Sequence, residues 1–258
     1  MDMVRIVAII PARMASSRLP GKPLLKIRGL PMVEHVRRRA LLCKGFHDVV
    51  VATCDPEIAE VVRHAGGKVA MTSSTHPAAT DRVAEAAESL ECTHVVNVQG
   101  DEILILPEDL EKMVAAMKKQ PSLPVWNAVA VLEKPGELAD PSIVKCVVSA
   151  SERILFCSRN LSWMFDATPA GFEPARKVLG VLGYRKEFLR RYPKLPRTPM
   201  EVRESVDQSR ILEHDIPLQG VLFSQGYPGI NLPQEVAQVE STLERDPRQQ
   251  RVLPQVLR

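Results

Sequence analysis

At 258 residues, with 45% hydrophobic and 25% charged side chains, the chain is long enough for one large α/β domain and has an ordinary globular composition. A net charge of +3, with lysine and arginine spread along the length, argues against a nucleic-acid partner, and the Arg37-Arg38-Arg39 run reads as part of a solvated helix face. No apolar run approaches a membrane span, no signal-like segment opens the sequence, and five cysteines without metal-site or redox spacing point to a reducing compartment, taken as the cytoplasm.

Residues 5–10 form an apolar run that stops abruptly, as in a strand buried on both faces. Next comes Pro11-Ala12-Arg13-Met14-Ala15-Ser16-Ser17-Arg18-Leu19-Pro20-Gly21-Lys22-Pro23, which crowds two arginines, two serines, a glycine and a lysine together. Backbone N–H groups and hydroxyls suit phosphate oxygens, arginines fork onto them and lysine is a point charge, so the loop reads as a triphosphate cradle. It is neither GxxxxGK[ST] nor GxGxxG, which disfavours P-loop ATPases and dinucleotide oxidoreductases. The bland alternative is a proline-anchored turn with solvent-facing arginines.

A helix is expected over residues 31–43 and a β-branched strand over 48–53. Residues 56–65 read as a helix capped by Asp55 and stopped by Gly66-Gly67, followed by a strand over 68–71. In His76-Pro77-Ala78-Ala79-Thr80-Asp81-Arg82, Thr80 or Asp81 would cap a helix reaching Ser89. There Thr80 and Arg82 could contact a phosphate or base, or be no more than an N-cap and a surface arginine.

A fourth strand, 93–99, runs into Gly100-Asp101-Glu102. Gly100 lets the backbone pass close to a ligand, and Asp101 stands where a Mg²⁺ ion bridging phosphates would sit; the alternative is a turn or the start of a solvated helix. A helix over 107–119 completes a strand–helix alternation that implies βαβ units and a mainly parallel sheet, whose ligands lie beyond the carboxyl ends of the strands.

The second half is less regular. Strands are expected at 125–132, 143–148, 153–157, 178–184 and 218–223, helices at 186–192, 200–214 and 233–243, a long loop over 160–176 and a loosely held tail after Asp246. The whole, residues 1–258, is read as one domain with a protruding β-rich half. Arg159 and Lys145 are single cations that draw no notice alone, and Asn231 before Pro233 reads as a turn or capping residue. A triphosphate with a metal implies attack by a second substrate on the α-phosphorus and loss of pyrophosphate, with no protein nucleophile.

PARMASSRLPGKPL, then NVQGDE, then GYR before a Phe-Leu-Arg-Arg-Tyr helix resemble, in that order, the 3-deoxy-manno-octulosonate (Kdo) cytidylyltransferases, over nearly the whole chain. The resemblance implies a nucleotide-diphospho-sugar transferase fold, Rossmann-like with a β-rich dimerisation half, usually a homodimer. It also implies Mg²⁺-dependent formation of CMP-Kdo from CTP and Kdo, in lipopolysaccharide synthesis. It places Ala12, Arg13, Ser16, Ser17, Arg18 and Lys22 around the CTP phosphates, and Thr80, Arg82 and Gln99 near the cytidine. Arg13, Lys22 and Asp101 would be catalytic, with Asp101 on the metal. Arg159, Val178, Leu182, Asp207 and Gln208 would face the acidic acceptor.

The sequence departs from the pattern in that acceptor half. Val178 replaces a histidine and Leu182 a tyrosine, and Asn231 replaces an aspartate that is a second metal ligand; its amide oxygen can still bind a hard cation but brings no charge. Loss of two hydrogen-bonding side chains should alter acceptor choice, toward a modified Kdo, another sugar acid or a phosphonate. A different triphosphate such as UTP, and a nucleotide-binding paralogue without catalysis, are the other readings.

Overall fold

The computed structural model describes residues 3–15, 19–165 and 173–258. In chain order these form β1 (Ile6–Ala12), a small hairpin of β2 (Lys26–Ile27) and β3 (Leu30–Pro31), α1 (Met32–Leu41), β4 (Asp48–Thr53), α2 (Pro56–His64), β5 (Lys68–Met71), α3 (Ala79–Glu88), β6 (His94–Val98) and α4 (Pro107–Lys119). The second half holds β7 (Val125–Val131), β8 (Lys145–Val148), β9 (Ile154–Ser158), β10 (Ala175–Arg185), α5 (Lys186–Arg191), α6 (Pro199–Glu204), α7 (Asp207–Glu213), β11 (Leu218–Leu222), α8 (Glu235–Arg245) and α9 (Pro247–Leu257).

One sheet runs β11-β7-β10-β6-β1-β4-β5, with β8 pairing both β10 and β9. The β11–β7, β6–β1, β1–β4 and β4–β5 pairings are parallel, and β10 alone runs antiparallel between β7 and β6. The mainly parallel α/β architecture expected from strand–helix alternation is therefore present. All seven residues of β1 are buried because both faces are covered. Ile6, Ala8 and Ile10 pack with Val33 and Val36 of α1, Ile58 and Val62 of α2, and Met113 of α4. Val7 and Ile9 pack on the other face with Val83 and Ala87 of α3, Leu189 of α5 and Ile211 of α7.

Five expectations change. Residues 200–214 form two helices, because Ser205 takes a left-handed φ of 53° between α6 and α7. The tail is ordered: Asp246 caps α9 by accepting from Arg248 N and Gln249 N, and Val252 and Val256 bury against Leu106. The helix expected from Pro233 begins at Glu235. Strand β10 starts at Ala175, so the expected loop is shorter, and its residues 166–172 lie outside the described residues. The arginine run is not a solvated face: Arg37 and Arg39 are buried, Arg37 forks onto Glu34, and Arg39 reaches Ile105 O.

Candidate functional site

The site forms where the parallel strands end. After Ala12 the chain leaves β1, and Met14 N donates to Asp55 Oδ2 at 2.8 Å, so the Asp55 carboxylate holds this loop and does not cap α2. The chain returns through Gly21, whose N donates to Met14 O at 3.1 Å and whose φ of 75° a side chain would resist. The turn Lys22–Leu24 follows and sets Lys22 Nζ 3.0 Å from Asp101 Oδ2 beyond β6. The two motif loops thus meet as an ion pair. Beside it, a Cβ on Gly100 would lie 3.1 Å from Pro11 O, so β1 and β6 crowd together as the glycine allows.

A cleft of about 270 Å³ opens here, lined by Ala12, Arg13, Lys22, Arg82, Gln99, Asp101 and Asn231 among others. A second, roomier lobe of about 1030 Å³ adjoins it. Arg13, Ala78, Ala79, Gln99, Asp101 and Asn231 line both lobes and mark the junction. Asn231 reaches it because Gly229 packs on Asp101, its Cβ position being 3.0 Å from Asp101 O. Glu235 accepts from the backbone N–H of Asn231 and of Leu232, closing the turn before α8.

The expected acceptor residues Arg159, Val178, Leu182, Asp207 and Gln208 all line the second lobe. So does Thr80, expected near the cytidine: α3 starts at Ala79, so Thr80 lies inside the helix, and its hydroxyl donates to Asp207 Oδ2 at 3.5 Å. Neither Thr80 nor Asp81 caps α3, whose N-cap position is Ala78. Arg82 is buried, not a surface arginine, and braces the loop after β5 through Thr72 Oγ1 and Ser73 O. Ser16, Ser17 and Arg18 lie outside the described residues.

Charges in the second lobe are mixed. Arg159 is partly committed to its own walls: Nε donates to Glu204 O at 2.7 Å and Nη1 to Pro141 O at 2.8 Å. Lys145 is fully buried beneath it and donates to Asp140 O, Ile143 O and Arg159 O; burial, with Arg159 adding repulsion, brings its pKa down to about 8. Lys177 pairs with Glu137 at 2.7 Å. Burial, and repulsion from Glu201 and Asp81, push the Asp207 carboxyl up, against Arg210 and the Thr80 hydroxyl. Arg210 itself is clamped by Glu201, Nε to Oε2 at 2.8 Å, and lies over the Tyr192 ring.

Glu102 does not begin a solvated helix. Its Oε1 accepts from Gly180 N at 2.7 Å, and Gly180 O accepts from Gln99 N at 2.9 Å, so the end of β6 is strapped to β10. Burial first, and Asp101 second, push the Glu102 carboxyl up to about 7. Sequence reasoning missed this strap, the Lys177–Glu137 pair, the hold of Asp55 on the first loop, and Asn127, the one polar side chain in the run Val125-Trp126-Asn127-Ala128-Val129. A lone polar residue inside a buried strand was the available signal for Asn127.

Residues 7–218 match the family model described as "Cytidylyltransferase". The chain is 37% identical over 246 residues to the 3-deoxy-manno-octulosonate cytidylyltransferase of Escherichia coli, covering 95% of this chain and 98% of the relative. Identity to the protein of the same name from Myxococcus xanthus is 39% over 249 residues, covering 94% and 98%. A solved structure of CMP:2-keto-3-deoxy-manno-octonic acid synthetase complexed with CTP superposes with a TM-score of 0.85 at 35% identity, covering 94% of this chain and 99% of the other.

Proposed function

The chain belongs to the cytidylyltransferase family, and from that premise we propose that it transfers CMP from CTP to Kdo or a Kdo-like acid, releasing pyrophosphate. The observation that carries the reading is the junction: Arg13, Asp101 and Asn231 line both lobes, where a nucleotide in one would meet an acid in the other. A hydroxyl of the acid attacks the α-phosphorus, its proton leaves, and the bond to the pyrophosphate breaks. Arg13 and Lys22 neutralise the phosphates and the departing charge, and the strapped loop after β6 holds Asp101 in place.

Magnesium suits the donor set. Among the described residues no group of three His, Cys, Asp or Glu side chains is placed to hold a metal ion. Magnesium favours one or two carboxylates completed by phosphate oxygens and water, and Asp101 with the Asn231 amide oxygen provides that kind of partial set. When bound, it would add positive charge at the phosphates. We also propose a homodimer, by analogy with the family, and a cytoplasmic location. All five cysteines are free, with Cys146 and Cys157 facing each other across β8 and β9, and no helix among the described residues is long and apolar enough to cross a membrane.

A second reading keeps the chemistry and changes the acid. Val178 and Leu182 put aliphatic side chains in the acceptor lobe where the resemblance expects hydrogen-bonding ones. Pyrophosphate release with CTP, Mg²⁺ and a panel of acids separates the readings. Release with Kdo supports the first, and release only with another acid the second. Release with UTP but not CTP overturns the nucleotide assignment, and CTP binding without release under any acid identifies a non-catalytic paralogue.

A further inference from the structure

Asn127 lies in β7, fully buried, where β10 bulges. Val178 pairs with Val129 and Leu182 with Asn127, so Leu179, Gly180 and Val181 stand opposite Ala128 alone and the ladder is broken. The carbonyls left over need donors. Asn127 Nδ2 supplies them, 2.9 Å from Leu179 O and 2.8 Å from Ala128 O. With the amide hydrogens turned to carbonyls, the Asn127 oxygen faces the other way, and there Gln208 Nε2 donates to it at 2.8 Å. Reversing either amide would set oxygen against oxygen or nitrogen against nitrogen, so the network fixes both orientations. Gln208 in turn lines the acceptor lobe.

We propose that Asn127 is a positioning residue that determines specificity: by holding Gln208 Nε2 it presents Gln208 Oε1 to the acceptor lobe, where that oxygen takes a hydroxyl of the acceptor and turns away an anionic group. This rests on the reading that the lobe holds the acid receiving CMP. Without Asn127 the Gln208 amide is free to turn, and the choice between hydroxyl and anion at that point is lost.

Two measurements test the proposal. In ¹⁵N-labelled protein without substrate, one Gln208 side-chain amide hydrogen should resonate downfield of its position in free glutamine, and Asn127→Ala should return it; a free-glutamine position in the unaltered protein overturns the proposal. With saturating CTP, Gln208→Glu should lower kcat/KM for Kdo about tenfold or more, because its carboxylate meets the Asn127 oxygen, while KM for CTP stays within about twofold. In the Asn127→Ala background the same change should cost less than about threefold, and additive effects overturn the coupling. Should Asn127→Ala fail to fold, Gln208→Glu must still be worse than Gln208→Ala; equality overturns the proposal. If the unaltered protein releases no pyrophosphate with any acid, the assignment of the lobe fails, and the amide resonances still decide the orientation.

Discussion

Lys22 and Asp101, 79 residues apart in sequence, meet at 3.0 Å, and the proposed chemistry gives each a separate job. Asp101→Ala should abolish pyrophosphate release while thermal melting stays close to that of the parent, because the side chain lies at a strand end with no core to support. An early melt with activity per folded molecule intact would show that Asp101 serves the fold instead. Lys22→Ala should raise KM for CTP and recover much of its rate at high nucleotide, which a titration to saturation checks. His35 makes a prediction about acid. Its ring is fully buried, with Nε2 on Ile27 O at 2.8 Å; burial, then Arg39 and Arg38, bring its pKa from 6.5 down to about 4 against the pull of Ile27 O and Glu34. Between those values the unfolded chain binds a proton that the folded one refuses, so stability falls as pH drops from 6.5 towards 4. The loss is on the order of 3 kcal/mol at most, and urea midpoints of His35→Gln should show a flatter slope across that window.

The bulge in β10 carries the most consequence among the elements. A Cβ on Gly180 would fall 2.7 Å from Glu102 Oε1 and 3.0 Å from Gln99 Cβ, so Gly180→Ala should push the strap apart. The expected result is a fall in kcat that exceeds the loss of melting temperature, read by steady-state kinetics and calorimetry side by side. Helix α9 makes a second test: truncation after Asp246 removes buried Val252 and Val256 and exposes Leu106. It should cost about 3–6 kcal/mol, measurable by denaturant unfolding. Most elements were legible because their signals are local. The buried strands β1, β4 and β6 read as apolar runs, and Pro107 announced α4. The tail misled because its polar residues hide two valines at helical spacing and a glutamine, Gln249, whose Nε2 donates to Leu104 O at 2.7 Å, 145 positions away. The 200–214 break misled because a serine in a left-handed conformation has no sequence signature.

Across the whole molecule the two lobes share one wall, so ligands should stabilise the chain together. CTP with Mg²⁺ at about a hundred times its Kd should add about 2.7 kcal/mol and raise the melting temperature by several degrees. UTP should do less, and a scan of triphosphates by differential scanning fluorimetry settles the order. The convergence of Lys22 and Asp101 was legible from sequence because each sits in a run of polar residues at a strand end. The lining of the second lobe was grouped only through resemblance, since Arg159, Val178, Leu182, Asp207 and Gln208 come from just past β9, from β10 and from α7. Asn127, Glu102 and Lys145 act through backbone carbonyls and N–H groups, and no spacing rule announces such partners.

One antiparallel strand, β10, is shared between β7 on one side and β6 and β8 on the other. Val178 and Leu182 stand at either end of its irregular stretch, while Gly180 between them grips the end of β6. New side chains at those two flanks would therefore change the lining of the second lobe while the bond from Gly180 N to Glu102 beside Asp101 keeps its partners. Val178→His and Leu182→Tyr would probe that lining, the second at a site only 4% exposed whose neighbours must shift to admit the larger ring.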